Sequence, residues 1–582
     1  MDILGIACYY HDSSACLVRD GKLIAAAQEE RFSRKKHDSD FPKNAIEYCL
    51  KEGKTTIGKI EVVAFYEKPF LKFERLLYQF VETFPKSYFA FAKSLPPWLT
   101  ERLLIKAVLG EMGFKGKICF LEHHLSHAAS SFLVSPFKSA AIFTADGVGE
   151  WATTTLGKGY GNDVKIFKEI NFPHSLGLLY SAVTAFLGFR VNSSEYKVMG
   201  LAPYGKPKYY DKMKKLVDIR PDGSFALDMD YFCYHYRMSM PSKKFIELFG
   251  KQRKSGEPII QFHKDIAMSL QKVTEEAIFS ALNYLHRITG EENLCMAGGV
   301  ALNSVANGKI LKKTPFKRIW IQPAASDAGG SIGAAYYVYN STLGNRRNFV
   351  FDSASLGPGF SDAEIERVLK EKKIAYTKFG SGKELLKAAV GMLLKDGVIG
   401  WFQGRMEWGP RALGNRSILA SPTKSKMKDI LNLKVKHREY FRPFAPVICD
   451  SDVDSFFEAD KPLPEPAYYM LMVWPIKKSR QKMVPAVTHV DGSGRLQVIR
   501  RNQNQLYYDL IKEFGKKTGV PILVNTSYNI RGEPIVCTPF DAYKCMMGTG
   551  IDALFAGNFL IKRKDNLRDE WDSEKKAEAS GN

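Results

Sequence analysis

No two of the nine cysteines (8, 16, 49, 119, 233, 295, 449, 537 and 545) stand as CxxC, and their number is odd. That excludes a zinc knuckle and a disulfide framework, and fits reduced, mostly buried thiols in a cytosolic protein. No apolar run is long enough to span a bilayer. The most aromatic stretch, LLYQFVETFPKSYFAFAKSLPPWL, is interrupted by Glu82, Lys86, Lys93 and prolines, and packing as core or lid is expected of it. The opening MDILGIACYYHDSS has no basic segment followed by an apolar one, so no signal peptide is expected and the expected location is cytoplasmic. Repeats of fixed period and long low-complexity tracts are absent. Acidic residues are in deficit, 62 against 84 basic ones, for a formal net charge of +22. Such a balance points to an anionic partner: a phosphorylated small molecule, nucleic acid or a membrane surface.

The length, 582 residues, exceeds what one hydrophobic core supports, so at least two domains are expected. Strand-like and helix-like runs alternate through the first 350 residues. DILGIACYY and KLIAAAQEE read as strands about a tight RDG turn, and EVVAFY, KICFLE and AAIFTAD as buried strands. DIAMSLQKVTEEAIFSALNYLHRITG has an apolar period of 3.6 and ends at Gly290, a C-cap residue. This alternation predicts an α/β fold. A polar connection, NSTLGNRRNFVFDSASLGPGFSD, places a boundary near 345–355; GVIGWF, RPFAPVI and PILVN supply strands for a second α/β or α+β domain, and a charged tail closes the chain at 571–582.

The run LEHHLSHAAS follows a strand-like segment and spaces His123 and His127 by four residues. On a helix both imidazoles then share one face, an arrangement able to hold a divalent metal. Two further strands end in an aspartate, Asp146 in TADGVGE and Asp327 in PAASDAGG. Loops at strand ends converge on the ligand crevice of a parallel α/β sheet. A His₂Asp₂ site of His123, His127, Asp146 and Asp327 is therefore expected, suited to iron, manganese or zinc. Gly147 and Gly149, then Gly298, Gly299 and Asn303 in AGGVALN, and DAGGSIGAA offer turns whose N–H groups suit nucleotide phosphates. YYHDSSA, with Asp12, Ser13 and Ser14, adds a fourth such turn. A hairpin followed by several phosphate loops is what an actin/sugar-kinase-like nucleotide fold presents.

Beyond the boundary, GWFQGRMEWGPRALGNRSILASP and LNLKVKHREYFRPFAPVI interleave Arg405, Arg411, Arg416, Lys434, Lys436, Arg438 and Arg442 with glycine, proline and aromatics. Cations in such buried surroundings need an anionic partner, and the guanidinium fork suits phosphate. PILVNTSYNIRGEP adds Asn525, Ser527 and Asn529 for phosphate and ribose. Arg495 completes the expected phosphate- and nucleotide-binding set.

Seven segments in order, HDSSACLVRDGKLIAAAQEERFSRKKHDSDFP, HHLSHAASSF, EYKVMGLAPYG, AGGVALN, WGPRALGNRSILASP, KHREYFRPFAPVI and VNTSYNIRGEPIV, resemble those of the NodU/TobZ-type O-carbamoyltransferases. The resemblance implies an actin/sugar-kinase-like (ribonuclease-H-like) domain over 1–350 and a YrdC/Sua5-like α/β domain over 351–570, with KxR at Lys436–Arg438 and SxN at Ser527–Asn529. It implies that the second domain makes carbamoyl-adenylate from carbamoyl phosphate and ATP (with Mg). The first would hold Fe(II), or another divalent metal, on His123, His127, Asp146 and Asp327, with His124 a neighbour only, and pass the carbamoyl group to a hydroxyl of a small-molecule acceptor. The mixed anhydride is destroyed by water, so an enclosed path is expected. His11, beside Asp12, is the candidate base. Membrane and nucleic acid are not expected partners, and a homodimer is a guess. Two rivals remain open: HypF-like transfer to a protein thiol, against which the absent CxxC speaks, and a non-catalytic nucleotide- or RNA-binding protein, for which the charge speaks.

Overall fold

The computed structural model describes residues 1–566; the 571–582 tail lies outside them. The chain divides into two compact units. One comprises Met1–Glu29 and Ser39–Phe351, the other Glu30–Asp38 and everything from Asp352 onward.

The first unit holds two five-stranded sheets of the same topology. In the first, β1 (Asp2–Ala7), β2 (Ser14–Arg19) and β3 (Lys22–Gln28) form an antiparallel meander; β4 (Val62–Phe65) and β5 (Lys117–Phe120) then add in parallel on the far side of β1. In the second, β6 (Ser139–Ala145), β7 (Ala152–Tyr160) and β8 (Asp163–Asn171) are the meander. After a short ribbon of β9 (Val217–Ile219) and β10 (Phe225–Leu227), β11 (Asn293–Ala297) and β12 (Arg318–Trp320) add in parallel beside β6. The RDG turn thus joins β2 to β3, with β2 a strand beyond those read from sequence. This twofold β-meander–parallel pattern is that of the actin/sugar-kinase-like fold. It leaves no period in the sequence because it repeats in topology alone, with insertions of different length between the strands.

Buried helices hold the two sheets. Gln261–Thr289 ends at Gly290 in the left-handed region, φ 64°, a cap that glycine adopts without Cβ strain. The helix Ala328–Tyr336, AGGSIGAAY, is buried throughout and packs on β1, β2 and the helix His123–Phe132. A Cβ on Gly333 would lie 1.9 Å from the Ser126 carbonyl oxygen. The glycines there serve close helix crossing.

The aromatic stretch forms helices Pro69–Glu82 and Tyr88–Pro97. The first buries Pro69, Lys72, Arg75 and Phe80, while Phe70 of that helix and Val81, Phe84 and Phe89 of the stretch are more than two-thirds exposed. Core packing therefore claims only one face of it. No helix among the described residues is long and apolar enough to cross a membrane.

The second unit is a nine-stranded sheet built from β13 (Thr377–Lys378), β14 (Ile399–Phe402), β15 (Arg416–Ala420), β16 (Ala445–Cys449), β17 (Met472–Pro475), β18 (Ser493–Ile499), β19 (Ile522–Ser527), β20 (Ala553–Ala556) and β21 (Phe559–Lys562), in the order β13-β21-β20-β14-β15-β19-β16-β18-β17. Parallel and antiparallel pairs mix, and helices Gly382–Leu393 and Gln505–Thr518 cover a core of Trp401, Leu419, Phe514 and Phe555. The Glu30–Asp38 segment belongs to this unit: Arg31 donates to the Gly409 carbonyl (2.9 Å), Arg34 donates to Pro534 (2.9 Å) and Ile535 (2.6 Å), and Phe32 packs on Met406 and Ile535.

Candidate functional site

β5 ends two residues before the helix His123–Phe132, whose first turn is buried. The i, i+4 spacing puts His123 and His127 on one face, with ring centroids 4.5 Å apart. β6 delivers Asp146 at its end, and Asp327 precedes the helix 328–336. His127 Nε2 lies 2.9 Å from Asp146 Oδ2 and 3.6 Å from Asp327 Oδ1; His123 Nε2 lies 3.8 and 3.7 Å from the same two oxygens. The donor atoms of all four residues fall within 4.8 Å of one another. The side chains of His123, His127 and Asp327 are at most 4% exposed, yet His123 Nε2 and Asp327 Oδ2 have no hydrogen-bond partner. Buried polar atoms without partners, converging on one point, fit a divalent cation with mixed N and O ligands.

The electrostatics agree. Burial, then the charge of Asp146, raises the Asp327 carboxyl. Against the cost of burial, the approach of His123 and His127 holds Asp146 well below the usual carboxylate range. Burial would lower His127, but hydrogen bonding to Asp146 and Asp327 raises it to about 9. The cluster thus recruits positive charge, which a metal supplies in place of a proton.

Neighbouring residues set this geometry. His124 turns away and shares a hydrogen bond with Thr144 Oγ1 (2.6 Å); burial, then the adjacent imidazoles, keep it neutral, well below its ordinary value. Glu150 gave no signal in the sequence beyond its place at the end of DGVGE. Its buried carboxylate accepts from the His123 backbone N–H (3.1 and 3.0 Å) and from the Lys68 N–H (2.7 Å). It therefore caps the histidine helix and the start of helix Pro69–Glu82 together. The glycine turns bear on the same centre. Gly147 N donates to Asp146 Oδ1 (2.6 Å) and Gly149 N to the Ala152 carbonyl (2.9 Å). Gly298, at φ 92°, brings its backbone so close that a Cβ would meet the Ala145 carbonyl at 2.1 Å, and Gly299 lies against Asp146 Oδ1. Asn303 Oδ1 accepts from Ala306 N (3.1 Å), and its side chain exchanges hydrogen bonds with Gln271.

His11 Nδ1 lies 2.9 Å from Asp12 Oδ2, and Nε2 is hydrogen-bonded to the Asn192 carbonyl. Burial would lower this ring, but Asp12, then Asp327 and the Asn192 carbonyl, raise it to about 10. With both nitrogens facing acceptors, His11 is an imidazolium here, a donor that must lose a proton before it acts as a base.

In the second unit, KxR and SxN meet. Lys436 Nζ donates to Ser527 O (2.5 Å), Asn529 O (3.0 Å) and Asn529 Oδ1 (2.8 Å), and Ser527 Oγ donates to Asn529 Oδ1 (2.6 Å). Burial, then Arg438, Arg442 and Lys36 among its neighbours, drives Lys436 well below its ordinary value. Arg495 behaves likewise: burial, then Arg411, Arg438 and Arg442, press it down, and its buried Nε has no partner. Three guanidinium groups thus lie near enough to the buried Arg495 to disfavour its charge, surroundings in which an anion would be stabilised. Arg442 lies 3.7 Å from Glu439, and Arg438 donates to Asn432 Oδ1 (2.9 Å). Arg416 and Asn525 are engaged with protein groups. Arg416 is fully buried over the Phe402 ring and donates to the carbonyls of Gln403, Asn415, Pro358 and Gly404; Asn525 donates to the Ala412 carbonyl (3.0 Å) and to Gln497. Lys36, on the segment contributed by the N-terminal part of the chain, escaped the sequence reading because nothing local ties it to residues 400 positions away.

Two family models match the chain. The carbamoyltransferase N-terminus family matches residues 2–336 and the carbamoyltransferase C-terminus family residues 390–563. The chain is 47% identical to the uncharacterized protein sll1178 of Synechocystis sp., over 98% of each chain. It is 38% identical to nodulation protein NolNO of Sinorhizobium fredii, over 97% of this chain and 80% of that protein. Against an uncharacterized protein of Methanocaldococcus jannaschii, MJ1058, identity is 30% over 97% of this chain and 99% of the other.

Proposed function

The chain belongs to the carbamoyltransferase family, and on that premise we propose an ATP-dependent O-carbamoyltransferase that forms carbamoyl-adenylate and passes its carbamoyl group to a hydroxyl of a small-molecule acceptor. The observation that carries this reading is the coexistence, in one chain, of a buried His₂Asp₂ cluster in the first unit and, in the second, a cluster of guanidinium groups around the buried Arg495 together with the KxR–SxN contact. The first half-reaction consumes carbamoyl phosphate, water and ATP and releases phosphate and pyrophosphate. Arg495, with Arg411, Arg438 and Arg442, would hold the phosphate oxygens, because the guanidinium fork takes two oxygens at once. Lys436 would orient the Ser527–Asn529 turn toward the nucleotide. In the second half-reaction the acceptor oxygen attacks the carbamoyl carbon, AMP leaves, and the hydroxyl proton must find a base.

In the first unit His123, His127, Asp146 and Asp327 would hold a divalent ion, Fe(II) by family resemblance, which supplies Lewis-acid stabilisation of the adenylate phosphate. Glu150 would hold the histidine helix in register, and Asp12 would orient His11 toward the acceptor. The test is direct: incubate metal-loaded protein with ATP and carbamoyl phosphate and measure pyrophosphate. Release dependent on carbamoyl phosphate is expected; none from folded, metallated protein defeats the reading.

A further inference from the structure

Two stretches of the first unit stand outside the shared motifs: residues 68–97 and residues 229–245. The structure brings them together. Gln79 Nε2 donates to the His235 carbonyl (2.8 Å), and the Phe172 ring, which the Arg75 guanidinium overlies at 4.8 Å, lies 6.2 Å from the Tyr234 ring. Arg75, on the helix Pro69–Glu82, stands at this junction and is 4% exposed. Its Nη1 donates to Gln79 Oε1 (3.1 Å), its buried Nε has no partner, and it forms no ion pair among the described residues. The nearby acids are engaged elsewhere: Glu67 with Lys72 Nζ at 2.5 Å, and Glu150 with the His123 and Lys68 N–H groups. Burial lowers Arg75 only to about 10, so the group stays charged at neutral pH. The Nε–Nη2 edge makes no hydrogen bond among the described residues, and it is the side-on fork that takes two oxygens of a carboxylate or phosphate.

Tyr10 links this edge to the metal ligands. Its ring carries Lys72 Nζ at 4.6 Å, its hydroxyl would be 3.2 Å from a Cβ on Gly147, next to Asp146, and its surroundings include Asp327, Asp146 and Arg75. Nearby, Tyr78 and Trp151 lie edge to face at 5.7 Å, with Tyr78 57% exposed, and such aromatic faces suit a sugar-like ring. We propose that Arg75 anchors a carboxylate or phosphate on the carbamoyl acceptor, so that the acceptor is an anionic hydroxyl compound of the uronic-acid or sugar-phosphate kind. The inference rests on reading the first unit as the transfer domain.

Equilibrium binding tests it without turnover. Full-length protein, free of ATP and carbamoyl phosphate, is titrated with galacturonate, galactose 6-phosphate, galactose and AMP, followed by saturation-transfer NMR. Wild type is expected to bind one of the two anionic sugars at least about 10-fold more tightly than galactose, the scale of a charged bidentate contact. Arg75→Gln should abolish that preference and leave galactose and AMP unchanged. Arg75→Lys, which keeps the buried charge but not the fork, should lose most of it, and it reads the site should the Gln variant misfold. Equal binding of anionic and neutral sugars to wild type, or no binding of either, overturns the proposal. A loss of AMP binding in Arg75→Gln overturns it too, by assigning the edge to the nucleotide phosphate. Pyrophosphate release, measured separately, fails or succeeds independently of these affinities.

Discussion

His123 carries two ring nitrogens without a hydrogen bond in a site 1% exposed, and that cost is what a bound cation removes. His127→Ala and Asp327→Asn are each expected to reduce bound metal, measured by elemental analysis after loading, to a small fraction of the wild-type content. Near-stoichiometric metal in both variants would take these residues out of the ligand set. In the second unit, Arg495→Ala should weaken carbamoyl phosphate binding by about 1.5–3 kcal/mol, roughly 10- to 150-fold, the worth of a charge-assisted contact. Calorimetric titration reads this, and an unchanged affinity would leave Arg495 a structural residue. His11 makes a prediction with a sign. Its value rises from the ordinary 6.5 to about 10 in the fold, so the folded state binds the proton more tightly than the unfolded state. The stability this contributes is complete below about pH 6.5 and fades as pH climbs through about 10. Thermal midpoints of wild type and His11→Asn should therefore differ most near pH 6 and converge toward pH 10; parallel curves would show that the Asp12 pairing does not couple to folding. At this scale the sequence was informative about residue type and spacing, because helical geometry makes i, i+4 neighbours. It was silent on Glu150, whose partners lie 27 residues or more away, and on Arg75, whose buried Nε has no partner.

Helices and turns carry these residues, and Glu150 shows how. One carboxylate caps the histidine helix and holds the Lys68 N–H at the start of the helix that bears Arg75. Glu150→Ala is expected to lower stability by about 1.5–3 kcal/mol, the range for buried hydrogen bonds to a charged group, and to weaken metal binding as the helix end frays. Glu150→Gln should recover part of both. Denaturant midpoints and a competitive metal titration measure the pair of effects, and loss of stability with unaltered metal affinity would confine Glu150 to a structural role. The strand-ending aspartates and the C-cap at Gly290 were legible from local pattern. The glycines of AGGSIGAAY were not: as a sequence they read as a phosphate turn, and only the 1.9 Å approach to Ser126 shows that helix packing requires them.

Across the whole molecule, the second unit includes Glu30–Asp38, a segment that comes from inside the first 39 residues. A fragment starting at 352 therefore lacks Arg31, Phe32 and Arg34, which bond Gly409, Pro534 and Ile535 and pack on Met406. Such a fragment should melt at a lower temperature than the same fragment mixed with a synthetic 30–38 peptide, while a peptide with Arg31 and Arg34 replaced by alanine gives no rescue. An identical melting temperature with and without the native peptide would show the segment to be dispensable. The net charge of +22 also resolves into particulars at this scale, since Arg416 and Arg31 donate to carbonyls inside the second unit and the cations around Arg495 are gathered into one site.

By itself the sequence determined the α/β class, the family, and the kinds of side chain available at strand ends and along one helix face. The class and the helix-face side chains follow from short-range periodicity and local backbone preference, which a few consecutive residues suffice to express, and the family from the resemblance of seven motifs in order. Only the tertiary structure decided that four donor atoms converge within 4.8 Å, that two sheets repeat one topology, that a nine-residue segment near the start joins the later unit, and that Arg75 is buried with its Nε unpartnered. Each of those depends on contacts between residues far apart in the chain, and burial and partner choice are properties of the packed molecule that no local stretch contains.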